Sequence, residues 1–150
     1  MSRRAEITMS PKEILDFLAE GRVASVATMG QHGRPHLVAM WYVPHGDGIA
    51  TWTYRTAQKA ANLGRLAQAT VLIEAGDTYD QLRGVSMECD VELVTDTEKV
   101  TKIGMDMQFR YTPNRQLAVA GTQYVRMQAP KRIGLICTPT HIASWDHRKL

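Results

Sequence analysis

The segment Tyr54-Arg55-Thr56-Ala57-Gln58-Lys59 brings two cations and two neutral hydrogen-bonding side chains together in one short stretch. It falls where a strand-like run gives way to a helical one. A helix start presents unpaired backbone N–H groups and the positive end of the helix dipole. A phosphate placed there gains those donors together with Arg55 and Lys59, so the segment reads as a phosphate site. The competing reading is plainer: Thr56 caps the helix, and Arg55 and Lys59 are solvated surface charges.

A second candidate is the strand His36-Leu37-Val38-Ala39-Met40-Trp41, apolar at nearly every position and suited to a surface on which a flat ring lies. Trp41 and Trp52 would border such a ring, although the same spacing also suits tryptophans packed in a core. The polar run from Asp77 to Gly84 can reach a ligand across a subunit seam or simply form a solvated turn. Familiar catalytic signatures are missing: there is no Gly-x-Gly-x-x-Gly, Walker loop, Gly-x-Ser-x-Gly or His-Glu-x-x-His. The histidines are scattered, with His32 and His45 in turn clusters. Trp145-Asp146-His147 could pair for acid–base work or form a surface ion pair. Cys89 and Cys137 are far apart in strand-like runs, which predicts buried thiols and no disulfide or metal site. No catalytic side chain is singled out.

The elements that must position these residues can be read from pattern. Ser10-Pro11-Lys12-Glu13 has the spacing of a capping box and opens a helix with Ile14, Leu15 and Leu18 on one side, ended by Gly21. Val23–Met29 and His36–Val43 read as strands joined by the Gly30–Gly33 turn. After His45-Gly46-Asp47-Gly48 the run Ile49–Tyr54 is expected as a third strand of a meander. Thr56 to Leu66 is expected as a helix capped by Thr56, followed by strands at Val71–Ala75 and Val85–Val94. Thr95 and Glu98 repeat the capping-box spacing before a helix with Val100, Ile103 and Met107 on one face, broken at Thr112-Pro113-Asn114. Gln123–Met127 is expected as a short strand or an irregular bridge. Ile133–Cys137 and His141–Trp145 read as a hairpin turning at Thr138-Pro139-Thr140. Many strands at hairpin spacing, without strand–helix alternation, predict a mainly β fold, an antiparallel barrel with helical additions.

The chain has 150 residues, and a single domain over residues 1–150 is expected. Hydrophobic residues at 44% and charged residues at 22% describe an ordinary globular protein. The net charge of +3 and pI of about 9.0 hint at an anionic ligand. No basic recognition helix, zinc-finger spacing or aromatic RNA-binding signature points to nucleic acid. No run reaches the roughly 18 apolar residues of a membrane span, and the N-terminus lacks a signal's apolar stretch. A cytoplasmic protein is therefore expected.

Four motifs in order, Gly21-Arg22-Val23-Ala24-Ser25-Val26-Ala27-Thr28, Gly33-Arg34-Pro35-His36, Gln58-Lys59-Ala60-Ala61-Asn62-Leu63 and Val71-Leu72-Ile73-Glu74, resemble the split-barrel proteins related to pyridoxamine 5'-phosphate oxidase. The tract Gly76 to Val85 and the ending Ser144 to Leu150 look like the actinobacterial branch of flavin and deazaflavin oxidoreductases, many of which use coenzyme F420 in place of FMN. The resemblance implies a homodimeric split β-barrel of antiparallel Greek-key type with the cofactor at the seam. It implies phosphate contacts from Arg55, Thr56, Ala57, Gln58 and Lys59, ring contacts from Val38, Ala39, Met40, Trp52 and Thr53, and a contribution from Gln81 and Arg83 of the other subunit. Tyr54 and Ala57 depart from the smaller or hydroxylated residues expected there. The implied activity is hydride transfer from F420H2 to a conjugated or unsaturated small acceptor. An FMN oxidoreductase and a non-catalytic flavin or heme binder are the alternatives.

Overall fold

The computed structural model describes residues 2–150. The short helix α1 (Arg3–Ile7) is followed by α2 (Pro11–Glu20), which starts with the expected capping box. The Ser10 hydroxyl accepts from the Glu13 N–H at 3.3 Å and Glu13 Oε2 accepts from the Ser10 N–H at 2.6 Å, satisfying two donors a helix start would otherwise leave open. Phe17 and Leu18 turn from this helix into the main core.

Seven strands follow: β1 (Ala24–Met29), β2 (Pro35–Met40), β3 (Val43–His45), β4 (Gly48–Tyr54), β5 (Gln68–Ala75), β6 (Arg83–Val94) and β7 (Arg132–Asp146). Helix α3 (Gln58–Arg65) lies between β4 and β5, and α4 (Thr97–Tyr111), α5 (Arg115–Ala120) and α6 (Thr122–Gln128) lie between β6 and β7. All pairings are antiparallel, in one sheet of order β2-β1-β5-β6-β7-β4-β3. Strands β2 and β3 are its two edges, yet only Trp41 and Tyr42 separate them in the chain. Laid flat, seven strands would put those edges about 29 Å apart. Three peptide steps span at most about 11 Å. The sheet must therefore curl until its edges meet at one corner, which is the expected split barrel.

That corner corrects two expectations. His36–Val43 is not one strand, and β4 is not the third strand of a meander, because β4 pairs with β7 and β3 rather than with β2. Tyr42 is the cause: its ring is fully buried, its hydroxyl donates to the Leu18 carbonyl at 2.7 Å, and its N–H donates to the Tyr111 hydroxyl at 3.0 Å. Partners outside the ladder satisfy the chain there, so the strand can break. Arg110 locks the same corner. Its guanidinium donates to the carbonyls of Leu18, Ala19, Gly21 and Tyr42 and lies 4.6 Å from the centre of the Tyr42 ring.

The terminal hairpin is also corrected. β7 runs unbroken through Thr138-Pro139-Thr140, and the register shifts at Glu88/Cys89 on the facing strand. A proline has no N–H for the ladder, and the irregularity absorbs that loss without a turn. Gln123–Met127 is helical, within α6, which packs Val125 against α4 where Gly104 lets the two approach. Asp96, not Thr95, caps α4 by accepting from the Lys99 N–H at 2.9 Å. Ala57, not Thr56, takes the N-cap place of α3.

The barrel interior is filled by Val26, Ile49, Val71, Ile73, Val85, Met87 and Leu135. A second apolar layer packs Ile103 and Met107 of α4 against Val43 and Ala50 on the outside of the sheet. Cys89 and Cys137 are free thiols inside the barrel, and burial pushes them up to about 11 and about 12. Since the thiolate is the nucleophile, neither should react with Ellman's reagent in the native protein at mildly alkaline pH, and both should react after denaturation. Native labelling as fast as that of free cysteine would contradict this core assignment.

Candidate functional site

The junction between β4 and α3 is assembled from three strand ends. The Arg55 N–H donates to the Lys131 carbonyl at 3.1 Å, its Nε to the Arg132 carbonyl at 3.0 Å and its Nη2 to the Thr95 carbonyl at 3.0 Å. Arg55 thus ties β4, β6 and β7 together while its charge stays unneutralised. Lys59, in the first turn of α3, is half-buried and donates from Nζ to the Thr53 hydroxyl at 3.2 Å. Burial first, and then the positive charge of Arg132, hold its pKa below the ordinary lysine value. Arg132 lies across the ring of Tyr54 at 3.6 Å and that of Trp52 at 4.9 Å from their centres. Its Nε is buried without a hydrogen-bond partner, an omission that costs about 1–3 kcal/mol until a partner arrives.

Among the described residues five ion pairs form, and none involves Arg55, Lys59 or Arg132. No side chain caps α3 at Ala57. Gln58 donates to the Asn62 side-chain oxygen at 2.9 Å, and Thr56 is exposed. Arg55 and Lys59 beside an uncapped helix start suit a phosphate, which neutralises their charge and accepts from the open N–H groups. The donor set therefore fits the phosphate of a flavin-type cofactor. A cleft of about 390 Å³ along β1, β5 and β6 includes Glu88 and Asp90 and no cation among its described lining residues, so it does not suit an anion.

The ring-binding candidates fall on the two strands that flank the split. On β2, Val38 and Met40 are half-buried and Ala39 is exposed. On β4, Thr53 is buried inside the barrel and Trp52 is half-buried outside it. β2 is an edge strand, and β3 pairs only with Gly48 to Ala50 of β4. Residues 51–54 therefore keep a free backbone edge toward the split. Gln81 and Arg83 do not join this group within one chain. They lie at the start of β6, and Thr95, which binds Arg55, follows its end, roughly 35 Å of strand away. Arg83 holds Glu20 at 2.7 and 3.1 Å and lies over Phe17, and Gln81 is exposed and donates to Asp80. Asp146 pairs with Arg148, and His147 Nδ1 meets the Tyr79 carbonyl at 2.8 Å, so Asp146 and His147 form no acid–base pair.

Sequence reasoning missed Arg132 and the buried polar corner under α3. There Asn62 donates to the Thr28 hydroxyl at 3.1 Å, and His36, opposite Thr28 on the ladder, has a buried Nδ1 without a partner. The one available signal for Arg132 was the pair Lys131-Arg132 immediately before an apolar strand.

A family model described as pyridoxamine 5'-phosphate oxidase matches residues 10–145. No curated protein gives a significant match. Among solved structures, the conserved hypothetical protein Rv2991 from Mycobacterium tuberculosis is 39% identical with a TM-score of 0.89, covering 99% of this chain and 92% of that one. A protein described as an F420 reductase is 18% identical with a TM-score of 0.64, over 85% of this chain and 93% of that one. The heme storage protein HutZ from Vibrio cholerae is 17% identical with a TM-score of 0.65, over 87% and 91%. These last two share the fold alone. With its curled seven-stranded sheet, and with the family match running through nearly its whole length, the chain belongs to the pyridoxamine 5'-phosphate oxidase-like family of split barrels.

Proposed function

We propose that this chain is an F420H2-dependent reductase acting on a conjugated or unsaturated small organic acceptor. The observation that carries the reading is the pair Arg55 and Lys59 at the start of α3, with no carboxylate paired to either of them among the described residues. The coenzyme, when bound, supplies the hydride. The protein's part is to bind and orient. Arg55, Thr56, Ala57, Gln58 and Lys59 hold the phosphate with side chains and backbone N–H groups, while Val38, Ala39 and Met40 offer the free edge of β2 to the ring beside Trp52 and Thr53.

The working unit is a cytoplasmic homodimer of one-domain chains. Leu37 and Trp41, 66% and 57% exposed on the outer side of the split, are apolar area that a second copy would cover. Gln81 and Arg83 would enter the pocket from that copy, Gln81 being the freer of the two.

Titration of the purified protein with F420 and with FMN, followed by fluorescence, tests the reading. Micromolar binding of F420, with reduction of quinones or enones by F420H2, is the expected result. Binding of FMN alone would replace the coenzyme assignment with an FMN oxidoreductase. Binding of a flavin or heme with no turnover would replace the reductase with a carrier.

A further inference from the structure

Beside Trp52, the outer wall of β4 and the flanks of α4 and α6 enclose a cleft of about 180 Å³. Its walls are aromatic. Trp41 and Tyr111 stack with ring centres 4.4 Å apart and planes 7° from parallel, Trp52 forms the floor, and Tyr124 stands 57% exposed at the mouth. Gly104 makes this floor possible, because a Cβ there would lie 2.5 Å from Cζ3 of Trp52 and push the indole away from the helix. Arg132 is the one charged residue among the described residues that line the cleft, and its Nε is buried without a partner.

We propose that this cleft binds a flat, conjugated monocarboxylate, held face-on by the aromatic walls and at its charged end by Arg132, and that it is the acceptor subsite. Size and charge set the ligand class. The volume is below the roughly 300–1,000 Å³ of sites for drug-sized ligands, which limits the occupant to one ring with a short arm. A single guanidinium matches a single carboxylate, and a second anionic group would be left without a counter-charge. The acceptor role rests on the coenzyme reading above; the existence of the ligand site does not.

Calorimetric titration of the coenzyme-free protein with cinnamate and with its neutral analogue cinnamamide tests the proposal. Cinnamate should bind at least about tenfold more tightly than the amide. Arg132→Gln should abolish that preference. Tyr124→Ala, at the exposed mouth where folding is not at stake, should weaken both ligands about two- to tenfold and leave their ratio intact. Equal affinity for the two ligands, an undiminished preference in R132Q, or no binding at millimolar concentration overturns the site. Cinnamate should also bind the F420-loaded protein, and mutual exclusion of the two overturns the acceptor role. A protein that binds F420 but not cinnamate loses the cleft and keeps the coenzyme reading. One that binds cinnamate through Arg132 but neither F420 nor FMN keeps the carboxylate site and loses the reductase.

Discussion

Lys59→Ala weakens coenzyme binding by about 1.5–3 kcal/mol, a rise in Kd of roughly 10- to 150-fold. The reason lies in what the side chain lacks. Lys59 is half-buried, has only the Thr53 hydroxyl as a hydrogen-bond partner, and shares its surroundings with Arg132. A phosphate is the group that would relieve both burial and repulsion, so the ammonium should bind it strongly. The pH dependence follows in sign. Affinity depends on the charged form, whose pKa in the free protein is held low, so binding declines with rising pH sooner than a solvated lysine would dictate. In the coenzyme-free protein the effect is reversed: the unfolded chain keeps this proton at higher pH than the folded one, so stability rises across the interval between the two pKa values. Fluorescence titration of F420 against the wild type and K59A over a pH series measures the first effect. An unchanged Kd in the variant removes the junction from the functional account.

The other large effect concerns the barrel corner. Arg110→Ala lowers stability by about 3–4 kcal/mol, since one guanidinium serves four backbone carbonyls and stacks on Tyr42. The carbonyls of Leu18, Ala19 and Gly21 belong to the last turn of α2 and its C-cap, where helix geometry supplies no donors; those of Ala19 and Gly21 would lose the side-chain donor that Arg110 provides, and that of Leu18 would keep only the Tyr42 hydroxyl. For a chain of this size the loss corresponds to a drop in Tm of roughly 6–16 °C. Arg110→Lys should recover only part of it, because an ammonium is a single point and cannot reproduce the spread of the guanidinium fork. Urea denaturation reads both variants. A loss below about 1 kcal/mol for the alanine variant would show that water replaces the arginine at little cost.

Local pattern located most of the elements. The capping box before α2, the Gly30–Gly33 turn, and the face of α4 carrying Val100, Ile103 and Met107 all depend on residues within a turn or two of one another. Where distant partners intervened, the pattern misled. Pro139 resembles a turn in one strand, and only the irregularity at Glu88/Cys89 on its neighbour lets β7 run through. The apolar run around Trp41 resembles one strand, and only contacts from Leu18 and Tyr111 break it at Tyr42.

The candidate site divides in the same way. Arg55 and Lys59 stand out locally because cations beside a helix start form an anion site within a few residues. Nothing in their neighbourhood reveals that Arg55 is anchored to the carbonyls of Thr95 and Arg132, or that Arg132 adds a third charge from far along the chain. Nor does it reveal that Gln81 and Arg83 lie at the other end of the barrel. Residue types and short spacings were thus enough for the fold class and for two of the three cations gathered near the start of α3. The closing of the sheet decided which distant charges stand together, because electrostatic energy depends on distance through space and burial, neither of which is encoded in neighbouring positions of the chain.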